Sequence, residues 1–279
     1  MERFGIYAAL LTPFSENGDI DTERLVRHTK ALLSDGAEGV ALYGTTGEGA
    51  SLGREERLRG IKAFAEAGVP RDKIVLGICA NSVEDAAEQV GEGLAHGIED
   101  FLLLPPFYFK GCDDAGLYDW HAGLFARCDD RARFILYHIP QVTGVPLSVD
   151  LVSRLVAAFP TRIRAIKDSS GDWNNAQALL GLKSLPVLVG DERLLHRAAA
   201  LGGAGAISGV ANLYPDRLKR LFDSATEDSA LSEEVTRIVS VPVIPALKAI
   251  IAERTKEPGW ERLRAPLVAL DATQRSVVT

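Results

Sequence analysis

One lysine of the sequence stands near the end of a predicted buried strand. Lys167 belongs to the stretch 162–168 and directly precedes the sequence Asp-Ser-Ser-Gly. Removing water from a lysine ammonium favours the neutral amine, which attacks ketone carbonyls and forms a Schiff base. An ion pair between Lys167 and Asp168, or another nearby carboxylate, fits the same spacing. The residues alone therefore leave two alternatives, a nucleophile and a structural ion pair.

Two adjacent hydroxyl groups follow a second predicted strand. The apolar stretch 39–44 leads directly into Thr45 and Thr46, which lie between two glycines. Glycines permit a tight turn, and hydroxyls together with turn amides can hold a carboxylate. Threonines beside glycines also commonly cap helices. Carboxylate binding and helix capping both remain open for this pair.

Tyrosines stand at the ends of two further predicted strands. Tyr108 belongs to the Pro-Pro-Phe-Tyr-Phe sequence at 105–109, and Tyr137 precedes His138 in the run 134–140. Aromatic residues at strand ends more often fill space than perform chemistry. The phenolic hydroxyls are nevertheless candidates for moving protons.

Composition and missing motifs exclude several classes of function. The net charge is −7, from 31 Lys and Arg against 38 Asp and Glu, so no basic surface for nucleic acid is expected. Glycine-rich nucleotide, phosphate-loop and zinc-protease signatures are absent from the sequence. The nearest dinucleotide-like stretch, 203–208, has serine in place of the third glycine. The five histidines have no metal-ligand spacing, so no metal site is predicted.

Cysteine content and apolar runs predict a cytoplasmic protein. Cys79, Cys112 and Cys128 are too few and too widely spaced for a disulfide framework. The apolar run near the start is too short for a signal-peptide core. The longest apolar stretch, 101–109, contains two prolines, so it is not expected to cross a membrane.

Alternating strands and helices must position these side chains. Short apolar runs bounded by Gly, Pro or Asp predict eight buried strands, at 7–11, 39–44, 73–79, 100–106, 134–140, 162–168, 186–190 and 205–210. Helical spacing predicts eight helices, at 21–36, 54–68, 82–97, 114–130, 148–160, 174–182, 192–203 and 214–225. The strands recur about every 28 residues, which is one βα unit, so an α/β fold of the (β/α)₈ TIM-barrel type is predicted. A doubly wound sheet is the alternative. Barrel enzymes carry their active sites where the strands end, which is where the candidate residues lie.

The last part of the chain continues with helical spacing. Pro242 and Pro245 are expected to interrupt it, and a short final helix is predicted near 260–270. No Gly/Ser-rich or Pro-rich linker separates this part from the barrel. We therefore predict a catalytic barrel at 1–225 and a C-terminal helical extension at 226–279 packed on it.

Five short sequences occur in an order that is specific to one family. They are GTTGE, PPFY, YHIP, IKDSSGD and the stretch GDE…GGAGAISG…N. Together they closely resemble the dihydrodipicolinate synthase/N-acetylneuraminate lyase family of class I aldolases, over essentially the whole chain. The resemblance implies an enzyme without metal or organic cofactor, and a homotetramer built as a dimer of dimers.

The resemblance also implies roles for the candidate catalytic residues. Lys167 is expected to form a Schiff base with the 2-keto group of pyruvate or a related keto acid, and Tyr137 to handle protons near the imine. Thr45 and Thr46 are expected to hold the substrate carboxylate. Thr45 is also expected to connect Tyr137 with Tyr108, which would reach into the site of a neighbouring subunit.

Further residues are implied to bind substrate. Gly190 and Ile207 match positions that line the pocket of the family. Asp191 and Glu192 resemble the acidic pair with which sugar-acid lyases bind polyol hydroxyls. Ser208 is expected to join that pair in hydrogen bonding to substrate hydroxyls.

One position departs from the synthases of the family. They carry an arginine two residues after the proline of the fifth-strand motif, where it binds the carboxylate of the incoming aldehyde. This chain has Val142 at that position, and valine makes no bidentate contact with a carboxylate. His138 stands where the family commonly has asparagine, and the sequence offers no reason for it.

These observations predict a class I aldolase or lyase for a hydroxylated or 3-deoxy sugar-derived 2-keto acid. It would act by aldol cleavage or addition, or by dehydration. The first alternative is 4-hydroxy-tetrahydrodipicolinate synthase, which condenses pyruvate with aspartate semialdehyde. Two others belong to different classes, a non-catalytic ligand-binding barrel and a sugar-phosphate isomerase that uses 202–209 as a phosphate loop.

Overall fold

Eight parallel strands close into a barrel. In the computed structural model, which describes residues 3–278, each strand pairs with its neighbours in chain order and β1 pairs with β8. The strands are β1 (Gly5–Ala9), β2 (Gly39–Leu42), β3 (Ile74–Ile78), β4 (Asp100–Leu103), β5 (Arg133–His138), β6 (Ile163–Asp168), β7 (Val187–Val189) and β8 (Gly205–Ser208). The predicted (β/α)₈ barrel is confirmed, and the doubly wound sheet is excluded. Residues 1, 2 and 279, at the ends of the predicted barrel and extension, lie outside the described residues.

The strands read as continuous apolar runs because both of their faces are buried. Along β5, Ile135 and Tyr137 belong to the cluster inside the barrel, whereas Phe134 and Leu136 pack among the residues between barrel and helices. Successive side chains of a strand point to opposite faces, so each run has to be apolar on both. Polar residues within these runs are therefore exceptions that need a local reason.

Helices alternate with the strands as predicted, with small shifts at their ends. The α-helices are α1 (Thr22–Ser34), α2 (Arg54–Glu66), α3 (Val83–Ala95), α4 (Asp114–Arg127), α5 (Pro140–Thr143), α6 (Val149–Ala158), α7 (Trp173–Gly181), α8 (Leu195–Ala200), α9 (Pro215–Ser224), α10 (Ser229–Val239), α11 (Val243–Thr255) and α12 (Ala272–Val278). Ser82 caps α3 by accepting a hydrogen bond from the Asp85 amide at 3.0 Å. The single helix predicted at 192–203 is instead a 3₁₀ turn at Glu192–Leu194 followed by the short α8.

The helical tail differs from the prediction at two places. Only Pro242 separates two helices, because Pro245 lies in the first turn of α11, where its missing amide hydrogen is not needed. The final helix α12 begins at Ala272, so the helix predicted near 260–270 is misplaced. Pro266 in that stretch cannot donate a helical hydrogen bond. Within residues 3–278 no single helix is long and apolar enough to cross a membrane, and α10 with α11 qualifies only as a pair bent by 116°.

A buried ion pair joins the loop after β2 to the C-terminal helices. The side chains of Glu48 and Lys248 are both fully buried, and the Lys248 ammonium donates to the Glu48 carboxylate. Lys248 also donates to the carbonyl of Arg262 at 2.7 Å, and the Arg264 amide donates to Glu48 at 2.9 Å. Burial lowers the pKa of Lys248, and the Glu48 carboxylate opposes that shift. The pair therefore fastens α11 and the segment after it to the loop that carries Thr45.

Replacing Lys248 with methionine should destabilise the fold. The Glu48 carboxylate would remain buried without its cation, which costs about 3–5 kcal/mol. Urea unfolding of Lys248→Met should therefore give a free energy of unfolding lower by that amount. The double variant Glu48→Gln/Lys248→Met should recover much of the loss, because no buried charge is then left.

An exposed ion pair provides the matched control. Arg220 pairs with Asp216 on the surface of α9, where both side chains are more than half exposed. Arg220→Met should change stability little, because solvent screens such pairs. Equal stability of wild type and Lys248→Met would contradict the role given to the buried pair.

Candidate active site

A cavity of about 540 Å³ opens at the C-terminal mouth of the barrel. Its wall combines residues at the ends of β2, β5, β6, β7 and β8 with residues at the junction of α10 and α11. This is the end at which barrel enzymes carry their active sites. The predicted site residues that line it are Thr45, Thr46, Tyr137, Lys167, Gly190, Asp191, Glu192 and Ile207.

Lys167 and Tyr137 meet inside the barrel on neighbouring strands. Their Cα atoms are register partners between β5 and β6, and the Lys167 Nζ donates to the Tyr137 Oη at 3.2 Å. The same Nζ lies 4.2 Å from the centre of the Tyr137 ring. Only 4% of Lys167 is exposed. The amine is thus buried beside a phenol at the base of an open cavity.

The ion pair considered for Lys167 does not form. Among residues 3–278, no carboxylate lies within 4.0 Å of its Nζ. Asp168 is the next residue of β6 and faces away from the barrel interior. Its carboxylate accepts hydrogen bonds from the Ser170 amide and the Asn175 side chain, both at 3.0 Å. Because successive side chains of a strand point to opposite faces, Asp168 lies outside the barrel and Lys167 faces the cavity.

Thr45 and Thr46 line the cavity opposite the lysine strand. The hydroxyl of Thr45 is buried and has no hydrogen-bond partner among the described residues. A buried hydroxyl without a partner is costly, so an acceptor or donor from a bound molecule would satisfy it. The turn that presents it needs glycine, because a Cβ at Gly49 would lie 1.9 Å from the carbonyl oxygen of Tyr43.

Gly190 and Ile207 complete the inner part of the wall. A Cβ at Gly190 would lie 1.8 Å from the Oγ of Ser169, so glycine lets the loops after β6 and β7 approach each other. Ile207 is 1% exposed and belongs to the apolar cluster inside the barrel. Both residues thus lie where the sequence placed them, on the wall of the cavity.

The acidic pair after β7 is engaged in hydrogen bonds within the protein. Arg193 binds both carboxylate oxygens of Asp191, through Nε at 3.0 Å and Nη2 at 2.7 Å. The Glu192 carboxylate accepts hydrogen bonds from the Ser208 hydroxyl and, at 3.2 Å, from the Val210 amide. Burial raises the pKa of the Glu192 carboxyl.

Ser208 is the predicted binding residue that the fold directs away from the cavity. It is fully buried on the outer face of β8 and is absent from the cavity wall. Its hydroxyl donates to Glu192 and accepts from the Ala211 amide at 3.0 Å. The expected contact of Ser208 with substrate hydroxyls is therefore corrected, since strand alternation turns its side chain toward the helices.

Tyr108 also lies outside the cavity of this chain. Its side chain is 73% exposed and packs edge-to-face on Phe109, which is 71% exposed, with ring centres 5.2 Å apart. The backbone at Phe107 and Tyr108 is fixed by the Asn81 side chain, which accepts hydrogen bonds from both amides at 2.8 Å each. The loop thus presents two aromatic rings to the surroundings.

Several residues that sequence reasoning missed contribute to the cavity. Val239, Val243 and Leu267, from the C-terminal helices and the segment after them, line its entrance together with Val142, the position at which the synthases carry arginine. These three residues had no signal beyond ordinary apolar spacing. His138 accepts a hydrogen bond from the Leu147 amide at 3.0 Å, so it anchors the chain after α5.

Burial and a backbone hydrogen bond both favour the neutral form of the His138 imidazole. Burial lowers the pKa of its imidazole, and the nearby Asp168 carboxylate opposes that shift. The unprotonated Nδ1 is the atom that accepts the Leu147 amide. Within residues 3–278, no group of three or more His, Cys, Asp or Glu side chains is arranged to hold a metal ion.

Known proteins resemble this chain along its whole length. The sequence profile of the dihydrodipicolinate synthetase family matches residues 2–277. An uncharacterised DapA-like lyase of Chloroflexus aurantiacus is 33% identical over 276 residues, which are 95% of this chain and 91% of that protein.

Solved structures agree with that match. A dihydrodipicolinate synthase from Agrobacterium tumefaciens superposes with a TM-score of 0.96 at 42% identity, covering 99% of this chain and 97% of that one. The prophage protein YagE of E. coli, solved in complex with pyruvate, superposes with a TM-score of 0.89 at 20% identity, a likeness of fold, over 99% and 96% of the two chains. By profile and by sequence identity, the chain belongs to the dihydrodipicolinate synthetase family and is an enzyme of the lyase type.

Proposed function

We propose that the enzyme cleaves or forms 4-hydroxy-2-keto acids through a Schiff base on Lys167. The observation that carries the proposal is a buried lysine amine whose hydrogen-bond partner is the Tyr137 phenol and which has no carboxylate within reach among the described residues. A lysine amine that is not held in an ion pair can approach a 2-keto carbon in the cavity and form a Schiff base with it.

The proposed cleavage begins when the Lys167 amine attacks the 2-keto carbon. Loss of water gives an iminium, whose nitrogen then accepts the electron pair of the C3–C4 bond as that bond breaks. The 4-hydroxyl gives up its proton, and an aldehyde leaves. Protonation of the enamine at C3 and hydrolysis of the iminium release pyruvate and free Lys167. Aldol addition follows the same steps in reverse.

Tyr137 is the group we assign to proton transfer. Its hydroxyl lies 3.2 Å from the Lys167 nitrogen, within the reach required of a general acid or base. The Thr45 hydroxyl, buried and without a partner, together with Thr46 would accommodate the substrate carboxylate. A carboxylate placed there would satisfy a polar group that is otherwise left unpaired.

The sugar-derived substrates expected from the acidic pair receive little support. Asp191 is paired with Arg193, Glu192 is paired with Ser208, and Ser208 faces away from the cavity. The hydroxyl that the mechanism requires is the one on the carbon that becomes the aldehyde. The proposal therefore keeps a 4-hydroxy-2-keto acid and sets no requirement for a polyol chain.

A second candidate is 4-hydroxy-tetrahydrodipicolinate synthase activity. The observation that favours it is the 42% identity to the dihydrodipicolinate synthase of Agrobacterium tumefaciens. Against it stands Val142, where the family's synthases carry arginine. The only arginine that lines the cavity in the described part of the chain, Arg193, is already paired with Asp191.

We also propose that the enzyme works as a homotetramer in which Tyr108 completes the site of a neighbouring subunit. The exposure of Tyr108 and Phe109 supports this assembly, because two adjacent aromatic rings at 73% and 71% exposure are unusual on a free surface. In the shared site, Tyr108 would extend the proton path from Tyr137 through Thr45.

Pyruvate followed by borohydride should add one reduced adduct per chain, located on Lys167. Reduction traps the imine as a stable secondary amine, so intact mass and peptide mapping report it directly. Lys167→Ala should form no adduct, and its turnover should be lower by more than about 10³-fold, because loss of the nucleophile removes the covalent intermediate. Lys30→Ala, which changes an exposed lysine of α1, is the control and should trap normally. An undiminished adduct in Lys167→Ala would place the imine on another lysine, and no adduct in the wild type would favour a ligand-binding barrel. Either result would reject the proposal.

Introducing Val142→Arg should raise condensation of pyruvate with aspartate semialdehyde. A charge-assisted hydrogen bond to the aldehyde's carboxylate should increase kcat/KM about 10-fold or more. Val142→Met, of similar length but neutral, is the matched control and should not do so. Wild-type condensation with a kcat/KM above ~10⁴ M⁻¹s⁻¹ would instead establish the synthase alternative.

Removing the hydroxyl of Tyr108 should lower turnover about 10²-fold if it transfers protons in a shared site. Tyr108→Phe keeps the ring and should leave the sedimentation coefficient of the assembly unchanged. Tyr118→Phe makes the same chemical change on α4, away from the cavity, and should have wild-type activity. A fully active monomer in sedimentation would contradict the shared site.

A further inference from the structure

Three exposed valines converge on the entrance of the cavity. Val142 is 57% exposed, Val239 is 41% exposed and Val243 is 37% exposed, and all three line the cavity wall. They come from two distant parts of the chain, α5 and the junction of α10 with α11. Scattered exposed valines need no explanation, but three that face one cavity form an apolar surface beside the reacting centre.

The volume beyond the lysine is large enough for a second reactant. Pyruvate fills about the space of four water molecules, roughly 120 Å³ at ~30 Å³ each. The cavity measures about 540 Å³. Most of its space therefore lies outside the part that the keto acid would occupy, and the entrance valines border that space.

A carboxylate would find no free cation in this space. Lys167 and Arg193 are the cationic residues on the wall, within the part of the chain that the structure describes. The first is the proposed nucleophile, and the second binds both carboxylate oxygens of Asp191. A substrate carboxylate buried there would lose its water without gaining a charged partner, which is unfavourable.

A polyol would find few free hydrogen-bonding groups. Gln141 donates its amide to the carbonyl oxygen of Ser169 at 2.6 Å, and Ser170 accepts from the Asp172 amide at 3.2 Å. The acidic residues on the wall, Asp191 and Glu192, are paired as described above. Substrate hydroxyls would have to displace these bonds, with little net gain, which leaves Ser169 as the main side chain of the outer wall to bind them among the described residues.

We infer that the half of the substrate beyond the cleaved bond is apolar, an aliphatic or aromatic aldehyde in the direction of synthesis. This inference rests on the proposed Schiff-base function and adds the substrate class. Enamine C3 attacks the aldehyde carbon, the carbonyl electron pair moves to oxygen, and that oxygen takes a proton. Water then hydrolyses the iminium to give a 4-hydroxy-2-keto acid. The hydrocarbon part of the aldehyde packs on Val239 and Val243, and burial of this surface drives its binding.

The test compares aldehydes with wild-type enzyme and pyruvate after trapping has been verified. Benzaldehyde and hexanal represent the apolar class, D-erythrose the polyols and aspartate semialdehyde the carboxylates. We expect kcat/KM at least about 10-fold higher for an apolar aldehyde than for either polar one. Normal trapping on Lys167 with a polar aldehyde preferred would overturn this inference and leave the proposed function intact. Absence of the trapped adduct would overturn both.

Substitutions in the apolar surface test where the aldehyde binds. Val239→Asn and Val243→Asn should each raise KM for the preferred apolar aldehyde about 5-fold, the effect of one to two buried methylene groups. KM for pyruvate and the yield of trapped adduct should not change. Val277→Asn alters a valine of matching exposure, 38%, outside the cavity and should behave as wild type. Unchanged aldehyde KM values in both cavity variants would overturn the assignment.

Discussion

A closed parallel barrel turns every second side chain of each strand into a confined interior, and the chemistry of this protein depends on that constraint. The cluster inside the barrel is largely apolar, and Lys167 and Tyr137 lie buried within it at the base of the cavity. Strand pairing in register sets them side by side. The same alternation sends Asp168 to the opposite face, which keeps a carboxylate away from the lysine. A single strand thus separates the proposed nucleophile from the carboxylate that would pair with it.

The C-terminal helices belong to the site as well as to the exterior of the barrel. The pair of Glu48 with Lys248 fastens α11 to the loop that presents Thr45, within a core where neither charge reaches water. Once held there, the junction of α10 and α11 supplies Val239 and Val243 to the cavity. The ion pair that stabilises the fold therefore also holds part of the cavity wall in place. The division into a catalytic barrel and a packed extension remains a prediction, and the helices assigned to the extension border the cavity.

Polar residues near an active site do not all face the substrate. Asp191, Glu192 and Ser208 lie at the C-terminal mouth of the barrel, yet each is satisfied by a protein partner. A buried carboxylate needs such partners, because an unpaired one would destabilise the fold. The Thr45 hydroxyl is the contrasting case, since it is buried and has no partner in the described chain. On the cavity wall, the Thr45 hydroxyl is therefore a better candidate for contact with a ligand than the paired acidic residues.

The sequence by itself was enough to predict the barrel and the order of its strands, and to single out Lys167 as the residue to test. Those features rest on local patterns, namely apolar runs of strand length, helical spacing, and short motifs at strand ends. Through the family resemblance it also indicated Thr45, Thr46, Tyr137, Gly190 and Ile207, which the structure brings to one cavity and whose roles toward a substrate remain predictions. Helix ends in the tail were predicted less accurately, because proline is tolerated in the first turn of a helix but breaks the helix at later positions.

Only the tertiary structure decided that Lys167 lacks a carboxylate partner, that Ser208 faces outward and that Asp191 is paired with Arg193. It alone brought Val142 together with valines about 100 residues away. Pairing and cavity walls depend on distances between residues far apart in the chain, and no local pattern encodes those distances.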